Sequence, residues 1–228
     1  QNETGLGALG LGVIGDSADP DSPFSNELVR RAVSLAIDRE AIVQSLLYGY
    51  AIPTNQWGIP GSLTYNDNLE IEYNPKKAKE LLAEAGYPDG FKTVYNVSNA
   101  PEQIQQSTAI QEYLSEIGIE AELNVMDTGL FREVTIAANN EPWEGLIQFN
   151  SRGDYDLTTY MPRNFSPEGT LYSHHITFKD DVLALFDELK GESDRQVIQE
   201  KSYELQRLVA EEYAIATFIY VTSTPAII

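Results

Sequence analysis

The chain of 228 residues contains no cysteine, only two histidines and two methionines, and no long uninterrupted apolar run. The absence of cysteine excludes disulfide bonds and thiolate metal sites, although it does not fix the compartment in which the protein works. No segment approaches the roughly 18 apolar residues that a transmembrane helix needs. The first residues also lack the basic and apolar regions of a secretory signal peptide.

Basic residues are scarce, because 15 lysines and arginines stand against 35 aspartates and glutamates, which gives a net charge of −20. A nucleic-acid site needs clustered Lys and Arg to neutralise phosphates, so this balance argues against a nucleic-acid partner. It also disfavours attachment to an anionic membrane surface. The simplest interpretation is an acidic surface that keeps the protein soluble.

A pair of short amphipathic helices is predicted between residues 29 and 47. Apolar residues at helical spacing form one stripe on the first helix, namely Val29, Ala32, Val33, Ala36 and Ile37. Asp38 follows where its side-chain oxygen can cap the start of the second helix. That helix carries its own apolar residues, Ile42, Val43, Leu46 and Leu47.

A third amphipathic helix is predicted from residue 75. Asn74 is a suitable N-cap, and Pro75 stands at the first helical position, where its missing N–H costs nothing. Gly86 can adopt the left-handed conformation that ends a helix, and Pro88 prevents its continuation. The buried face is predicted to consist of Ala78, Leu81, Leu82 and Ala85.

The sequences of these segments resemble those of the family 5 extracellular solute-binding proteins, the dipeptide- and oligopeptide-binding components of ABC importers. The helix pair of that family reads R-x-A-x-x-x-A-I-D-R-x-x-I-V, which residues 30–43 match. Residues 49–53 match its G-Y-x-x-P loop. Residues 74–91 match D-P-x-K-A-K-x-L-L-x-E-A-G-Y-P-x-G-F, except that Asn74 replaces the aspartate. The resemblance extends over nearly the whole chain.

The resemblance implies an α/β fold, namely one lobe of a periplasmic-binding-protein-like (type II) clamshell with a mixed sheet flanked by helices. Residues 20–213 are expected to form the second, ligand-binding lobe. Residues 1–19 are expected to form a crossing or hinge strand and loop, and residues 214–228 a returning strand, both directed toward a first lobe. In the family a signal peptide and a first lobe precede these segments, so we interpret the sequence as a fragment of a longer protein.

From residue 92 onward the sequence pattern alternates between strands and helices, which independently favours an α/β layer with partly parallel strands. The predicted elements are strands at 92–98, 119–126, 144–150 and 215–221, and helices at 101–117 and 128–138. The strand at 119–126 is expected to bury one face, formed by Ile119, Ala121, Leu123 and Val125. The last third is predicted to be helical, with a capping box at Ser193–Gln196. If both chain ends are crossing strands, residues 7–13 and 215–221 should lie close together.

Two motifs that could carry chemistry have simpler explanations. Gly5–Gly10 matches G-x-G-x-x-G, but a dinucleotide site needs a strand before it and a helix after it. Turn-forming residues 16–23 follow instead, so a connecting strand is predicted. His174 and His175 are adjacent and point to different faces of any regular element, which disfavours a metal site. The sequence therefore predicts no catalytic residue, no metal and no cofactor, and a protein that is not an enzyme.

The candidate ligand segment is residues 149–156, whose polar groups follow an apolar strand. In open α/β sheets, ligand contacts lie at strand ends. In the resembling family the matching strand ends in G-W-x-x-D, whose aspartate pairs with the free amine of a bound peptide and whose tryptophan packs over it. The resemblance assigns the carboxylate to Asp154 and places Ser151 where the tryptophan would stand. Arg152 could pair with Asp154 or with an anionic group of the ligand. The alternative is that Asp154 caps a short helix at 157–160.

Aromatic residues are the remaining candidates for the ligand pocket. Trp57, Tyr155 and Tyr160 are possible pocket walls, because aromatic rings supply large contact areas with little loss of rotamer freedom. Ordinary packing inside the lobe is the alternative for each of them. If a neighbouring lobe is missing, aromatic residues that faced it, with Trp57 or Tyr155 among them, should be unusually exposed or else covered by crystal or dimer contacts.

By resemblance, the predicted function is capture of a small solute, most simply a peptide, outside the cytoplasmic membrane for an ABC permease. The predicted partners are the solute, the permease and the N-terminal lobe of the same protein. The full-length protein is expected to be lipid-anchored. Three alternatives stay open: a non-peptide solute such as a sugar, an opine or a metal chelate; a surface sensor; and an α/β hydrolase.

Overall fold

The computed structural model describes residues 8–136, 143–153, 162 and 166–222. Within these residues a mixed sheet forms the centre of the protein. Its strands are β1 (Ala8–Gly15), β2 (Ala51–Pro53), β3 (Phe91–Ser98), β4 (Ile119–Met126), β5 (Leu146–Gly153) and β6 (Thr217–Thr222). Their spatial order is β2-β6-β1-β5-β3-β4.

The strand directions divide the sheet into two halves. β3 runs parallel to both β4 and β5. β1 is antiparallel to β5 and β6, and β6 is antiparallel to β2. The predicted α/β class with partly parallel strands is therefore confirmed.

The helices are α1 (Glu27–Ala36), α2 (Arg39–Leu46), α3 (Pro75–Glu84), α4 (Pro101–Glu116), α5 (Thr128–Thr135), α6 (Asp180–Leu189) and α7 (Arg195–Arg207). A π-helical turn, Leu208–Glu212, extends α7. No helix in the described parts of the chain is both long enough and apolar enough to cross a membrane.

The helices cover both faces of the sheet. Helices α1 to α4 pack on one face around a cluster that includes Leu11, Tyr95 and Ile110. Helices α5 to α7 contribute to a second cluster on the other face, which includes Phe149 and Phe218. Full burial of an aliphatic or aromatic side chain contributes roughly 1.5–3 kcal/mol, so these two clusters are the main source of stability.

Helix boundaries follow the predicted caps in α2 and α3. The Asp38 side chain accepts a hydrogen bond from the Ala41 N–H at 2.8 Å, and Asn74 accepts one from the Lys77 N–H at 3.0 Å. Gly86 has a φ of 95°, the left-handed conformation expected after α3. These predictions are confirmed.

The predicted capping box before α7 is wrong by one residue. Asp194, rather than Ser193, is the N-cap, and its side chain accepts hydrogen bonds from the N–H groups of Gln196 and Val197. A carboxylate accepts both bonds and also opposes the positive end of the helix dipole, which explains why it displaces the neighbouring hydroxyl.

Two other predicted details differ from the structure. The helix expected at 128–138 ends at Thr135, because Ile136 leaves it to form a β-bridge with Leu171. On β4, Ile119 and Ala121 are buried as predicted, but Val125 is 46 % exposed. β4 lies at the edge of the sheet, and its burial decreases toward its last residues.

The strands near the two chain ends are neighbours inside the sheet. Leu11 of β1 pairs with Tyr220 of β6, and Gly10 pairs with Val221. The predicted closeness of residues 7–13 and 215–221 is therefore confirmed over the described residues.

One buried arginine ties α1, α2 and β6 together. All five N–H groups of the Arg39 guanidinium donate hydrogen bonds to neutral acceptors. Nε bonds the Phe218 carbonyl at 2.7 Å, Nη1 bonds the Ser34 and Ile37 carbonyls, and Nη2 bonds the Ser34 hydroxyl and the Asn55 amide oxygen. Burial lowers the pKa of Arg39 to about 10. Among the described residues the group is held by these hydrogen bonds, and no carboxylate there forms an ion pair with it.

Candidate functional site

Three parallel strands end at one edge of the sheet, which we call the carboxyl edge. β3 ends there at Ser98, β4 at Met126 and β5 at Gly153. β1 begins at the same edge, because Ala8 pairs with Gly153, and the antiparallel β6 ends there. In open α/β sheets the carboxyl ends of the strands are where ligands bind. This edge is therefore the candidate site.

The structure brings part of the predicted ligand segment to this edge. The backbone of Ser151 pairs with Gly10, and that of Arg152 pairs with Leu9. Both residues therefore lie directly before Gly153, the last residue of β5. Their predicted contacts with a ligand stay predictions. The other candidates lie outside the described residues, namely Asp154, Tyr155 and Tyr160.

The ends of β3 and β4 supply polar groups that sequence reasoning missed. The Asn99 N–H donates to the Met126 carbonyl at 2.8 Å, and the Thr128 hydroxyl donates to the Asn99 side-chain oxygen at 3.1 Å. Asp127 accepts hydrogen bonds from the N–H groups of Gly129 and Leu130, so it is used as the N-cap of α5. The signal available in the sequence was an Asn or Asp directly after each strand.

A neutral phenol lies beneath the carboxyl edge. Tyr220, near the end of β6, is 8 % exposed. Burial raises its pKa to about 12, and the negative charge of Glu102 acts in the same direction, while a hydrogen bond with Gln106 opposes them. The described part of the edge thus combines the polar groups of Asn99 and Thr128 with the neutral phenol of Tyr220.

Trp57 is buried, so it is not one of the exposed aromatic residues that the sequence predicts, and Tyr155, the other candidate, lies outside the described residues. Trp57 is 3 % exposed, and its ring lies 5.3 Å from that of Phe218 and 6.2 Å from that of Phe149. Its backbone N–H donates to the Gln206 side chain at 2.7 Å, and Gln206 also bonds the Thr64 carbonyl. This distant glutamine fastens the loop that carries Trp57 to α7. A contact between Trp57 and a ligand stays a prediction.

The glycine-rich start and His175 have structural explanations. Residues Ala8–Gly15 form a strand, as predicted, and a Cβ on Gly12 would overlap the Phe149 ring. His175 packs against Trp143, with ring centroids 4.6 Å apart. Within the described residues, no group of three His, Cys, Asp or Glu side chains could hold a metal ion.

A cavity of about 270 Å³ lies elsewhere on the molecule. It is lined by charged residues of both signs, among them Arg31, Lys77, Glu72 and Glu211. Lys77 and Glu72 form an ion pair across it at 3.1 Å. Because none of its lining residues belongs to a strand end at the carboxyl edge, we do not assign the solute to this cavity.

Solved structures with the same arrangement of strands and helices identify the fold of this chain. The chain superimposes on the oligopeptide-binding protein AppA from Bacillus subtilis in complex with a nonapeptide, with a TM-score of 0.81 and 21 % identity, covering 97 % of this chain and 46 % of that one. It also superimposes on the periplasmic binding protein DppA from Helicobacter pylori in complex with the peptide STSA, with a TM-score of 0.79 and 23 % identity, covering 95 % and 43 %. The mixed sheet flanked by helices is thus the fold of type II periplasmic binding proteins.

Sequence comparison then identifies the family. The family model of the bacterial extracellular solute-binding proteins, family 5, middle region, matches residues 7–176. The chain belongs to this family. It is 42 % identical over 179 residues to the glutathione-binding protein GsiB of Salmonella paratyphi A, a match that covers 72 % of this chain and 34 % of GsiB. The chain therefore spans about a third of the length of that relative.

Proposed function

We propose that this chain forms the second lobe of a two-lobed protein that captures a peptide or peptide-like solute outside the cytoplasm and delivers it to an ABC permease. The observation that carries the proposal is the register of β5, which brings the backbone of Ser151 and Arg152 to the carboxyl edge. Asp154, which matches the amine-binding carboxylate of the family, follows directly in the chain.

The proposed division of the chain follows from the same edge. Residues 20–213 would form the ligand-binding lobe, while residues 1–19 and 214–228 would lead to and from a first lobe. β1 and β6 are adjacent in the sheet, and β1 starts where β6 ends. This adjacency supports two closely spaced connections on one side of the lobe, the arrangement that a hinge between two lobes requires.

Binding is proposed to involve no covalent chemistry. The solute would lie between the lobes and favour the closed form through contacts that the open form lacks. In the full-length protein a lipid anchor would hold the receptor near its permease. A peptide is preferred as the solute because the relatives GsiB, DppA and AppA are named for glutathione, or were solved with a bound peptide.

Calorimetry on the full-length protein tests this proposal. We expect saturable binding of glutathione or a short peptide, and recovery of the solute chemically unchanged by mass spectrometry. A panel that includes a sugar and an opine serves as the comparison. Binding of a member of that panel with no binding of any peptide, or turnover of a bound peptide, would contradict the proposal.

A further inference from the structure

Two tyrosines stand out as the most exposed large apolar side chains of the described residues. Tyr48 is 81 % exposed and Tyr50 is 83 % exposed, with Gly49 between them. We call these three residues the tyrosine loop. A pair of aromatic rings offers a large contact area. A solvent-exposed pair of this kind indicates a surface that another domain or molecule covers.

The backbone of the tyrosine loop is held in a defined conformation. Tyr48 has a φ of 53°, a left-handed conformation that costs a non-glycine residue about 1 kcal/mol or more. The Gly49 N–H donates to the Val43 carbonyl at 3.1 Å, and the Tyr50 N–H donates to the Leu47 carbonyl at 2.8 Å. These bonds to the end of α2 overcome the strain and present both rings on an ordered turn.

The tyrosine loop lies at the carboxyl edge, beside the place where the chain leaves the sheet. Tyr50 leads directly into β2, whose first residue, Ala51, pairs with Thr222 at the end of β6. The neighbouring β1 begins at this same edge. The end of β6 and the start of β1, to which any further polypeptide attaches, therefore lie one and two strands away from the start of β2.

We propose that the tyrosine loop is the surface on which the first lobe of the full-length protein packs. This inference rests on the proposed two-lobed protein. The chain spans 34 % of GsiB and 43–46 % of the two solved relatives, so more than half of such a protein lies outside it. Two tyrosines together supply roughly 300–500 Å² of contact, a substantial part of an interdomain interface.

Distance favours the first lobe over the solute as the occupant. β6 and β1 separate β2 from β5, so Tyr50 lies about 14 Å from the end of β5 at the usual strand spacing. A solute of tripeptide size spans only about 10 Å when fully extended. A small peptide held at the end of β5 therefore ends short of the tyrosine loop.

Hydroxyl-radical footprinting of the full-length protein without added solute tests the inference. Tyr73 of the same molecule is 43 % exposed and serves as the internal standard. Exposure in the lobe alone would make Tyr48 and Tyr50 react nearly twice as fast as Tyr73, after correction for their rates in the unfolded protein. If the first lobe covers them, both should react more slowly than Tyr73.

Three results would overturn the inference. Tyr48 and Tyr50 could react faster than Tyr73, which would show that nothing covers them. Protection that arises only when peptide is added would show that the first lobe does not pack on the rings in the unliganded protein. Protection that is lost on dilution would assign them to a second copy of the protein. Failure to bind any peptide would count against the proposed function alone, because the measurement contains no solute.

Discussion

Replacing Asp154 by asparagine in the full-length protein is expected to weaken binding of a peptide with a free amino terminus by about 2–5 kcal/mol, roughly 30-fold or more. The carboxylate is predicted to pair with the peptide ammonium group in a site that closes around it. Removing one partner of such a pair leaves the other charge desolvated without compensation. Isothermal titration calorimetry at fixed salt measures the change.

Two controls separate loss of this ion pair from general damage. The same peptide with an acetylated amino terminus should bind the wild type no more tightly than Asp154→Asn, because it offers no charge to pair and leaves the wild-type carboxylate desolvated without a partner. Asp194→Asn, which alters an exposed N-cap of α7, should leave affinity unchanged, since Asn caps a helix as well as Asp does. Equal affinity of the free-amine peptide for the wild type and Asp154→Asn would show that Asp154 has a structural role. The serine at position 151, where the family has a tryptophan, would then indicate a non-peptide solute.

Replacing Arg39 by methionine is expected to lower the free energy of unfolding by about 3–5 kcal/mol. The change removes a buried charge, which by itself favours folding by a few kcal/mol. It also leaves five buried acceptors without their donor, on Phe218, Ser34, Ile37 and Asn55. At about 1–3 kcal/mol for each unsatisfied group, the lost hydrogen bonds outweigh the gain.

Urea unfolding followed by circular dichroism measures this effect. Arg132→Met is the matched control, because Arg132 is exposed on α5 and its replacement should change stability by no more than about 0.5 kcal/mol. Arg39→Lys should also be destabilising, since an ammonium group has three donors and cannot reproduce the planar fork. If Arg39→Met is as stable as Arg132→Met, the hydrogen-bond account of Arg39 is wrong.

Local signals in the sequence predicted much of the fold. Asp38, Asn74 and Gly86 act where they were predicted to act, because a cap or a left-handed turn depends on only a few neighbouring residues. The parallel strands β3 to β5 were also predictable, since their alternation with helices leaves few possible arrangements.

Contacts between distant residues were not predictable in the same way. The burial of Trp57 depends on Gln206, a partner 149 residues away, and on rings from two strands that only the folded sheet brings together. The exposure of Tyr48 and Tyr50 likewise depends on which strand lies at the sheet edge. No local pattern distinguishes an aromatic residue that is buried from one that is left in water.

For the candidate site, the sequence located the strand but not its surroundings. The resemblance selected residues 149–156, and the structure places the end of β5 at the carboxyl edge. Asn99 and Thr128 were missed because they follow β3 and β4, and only the parallel pairing of these strands brings them to the same edge as β5.

A crystal structure of the full-length protein with a free-amine tripeptide tests the central claim most directly. The account predicts that the peptide lies between two lobes at the carboxyl edge, with its ammonium group within hydrogen-bond distance of the Asp154 carboxylate. A peptide bound in the cavity lined by Arg31, Lys77 and Glu72, or a carboxyl edge that faces solvent with the peptide elsewhere, would contradict it.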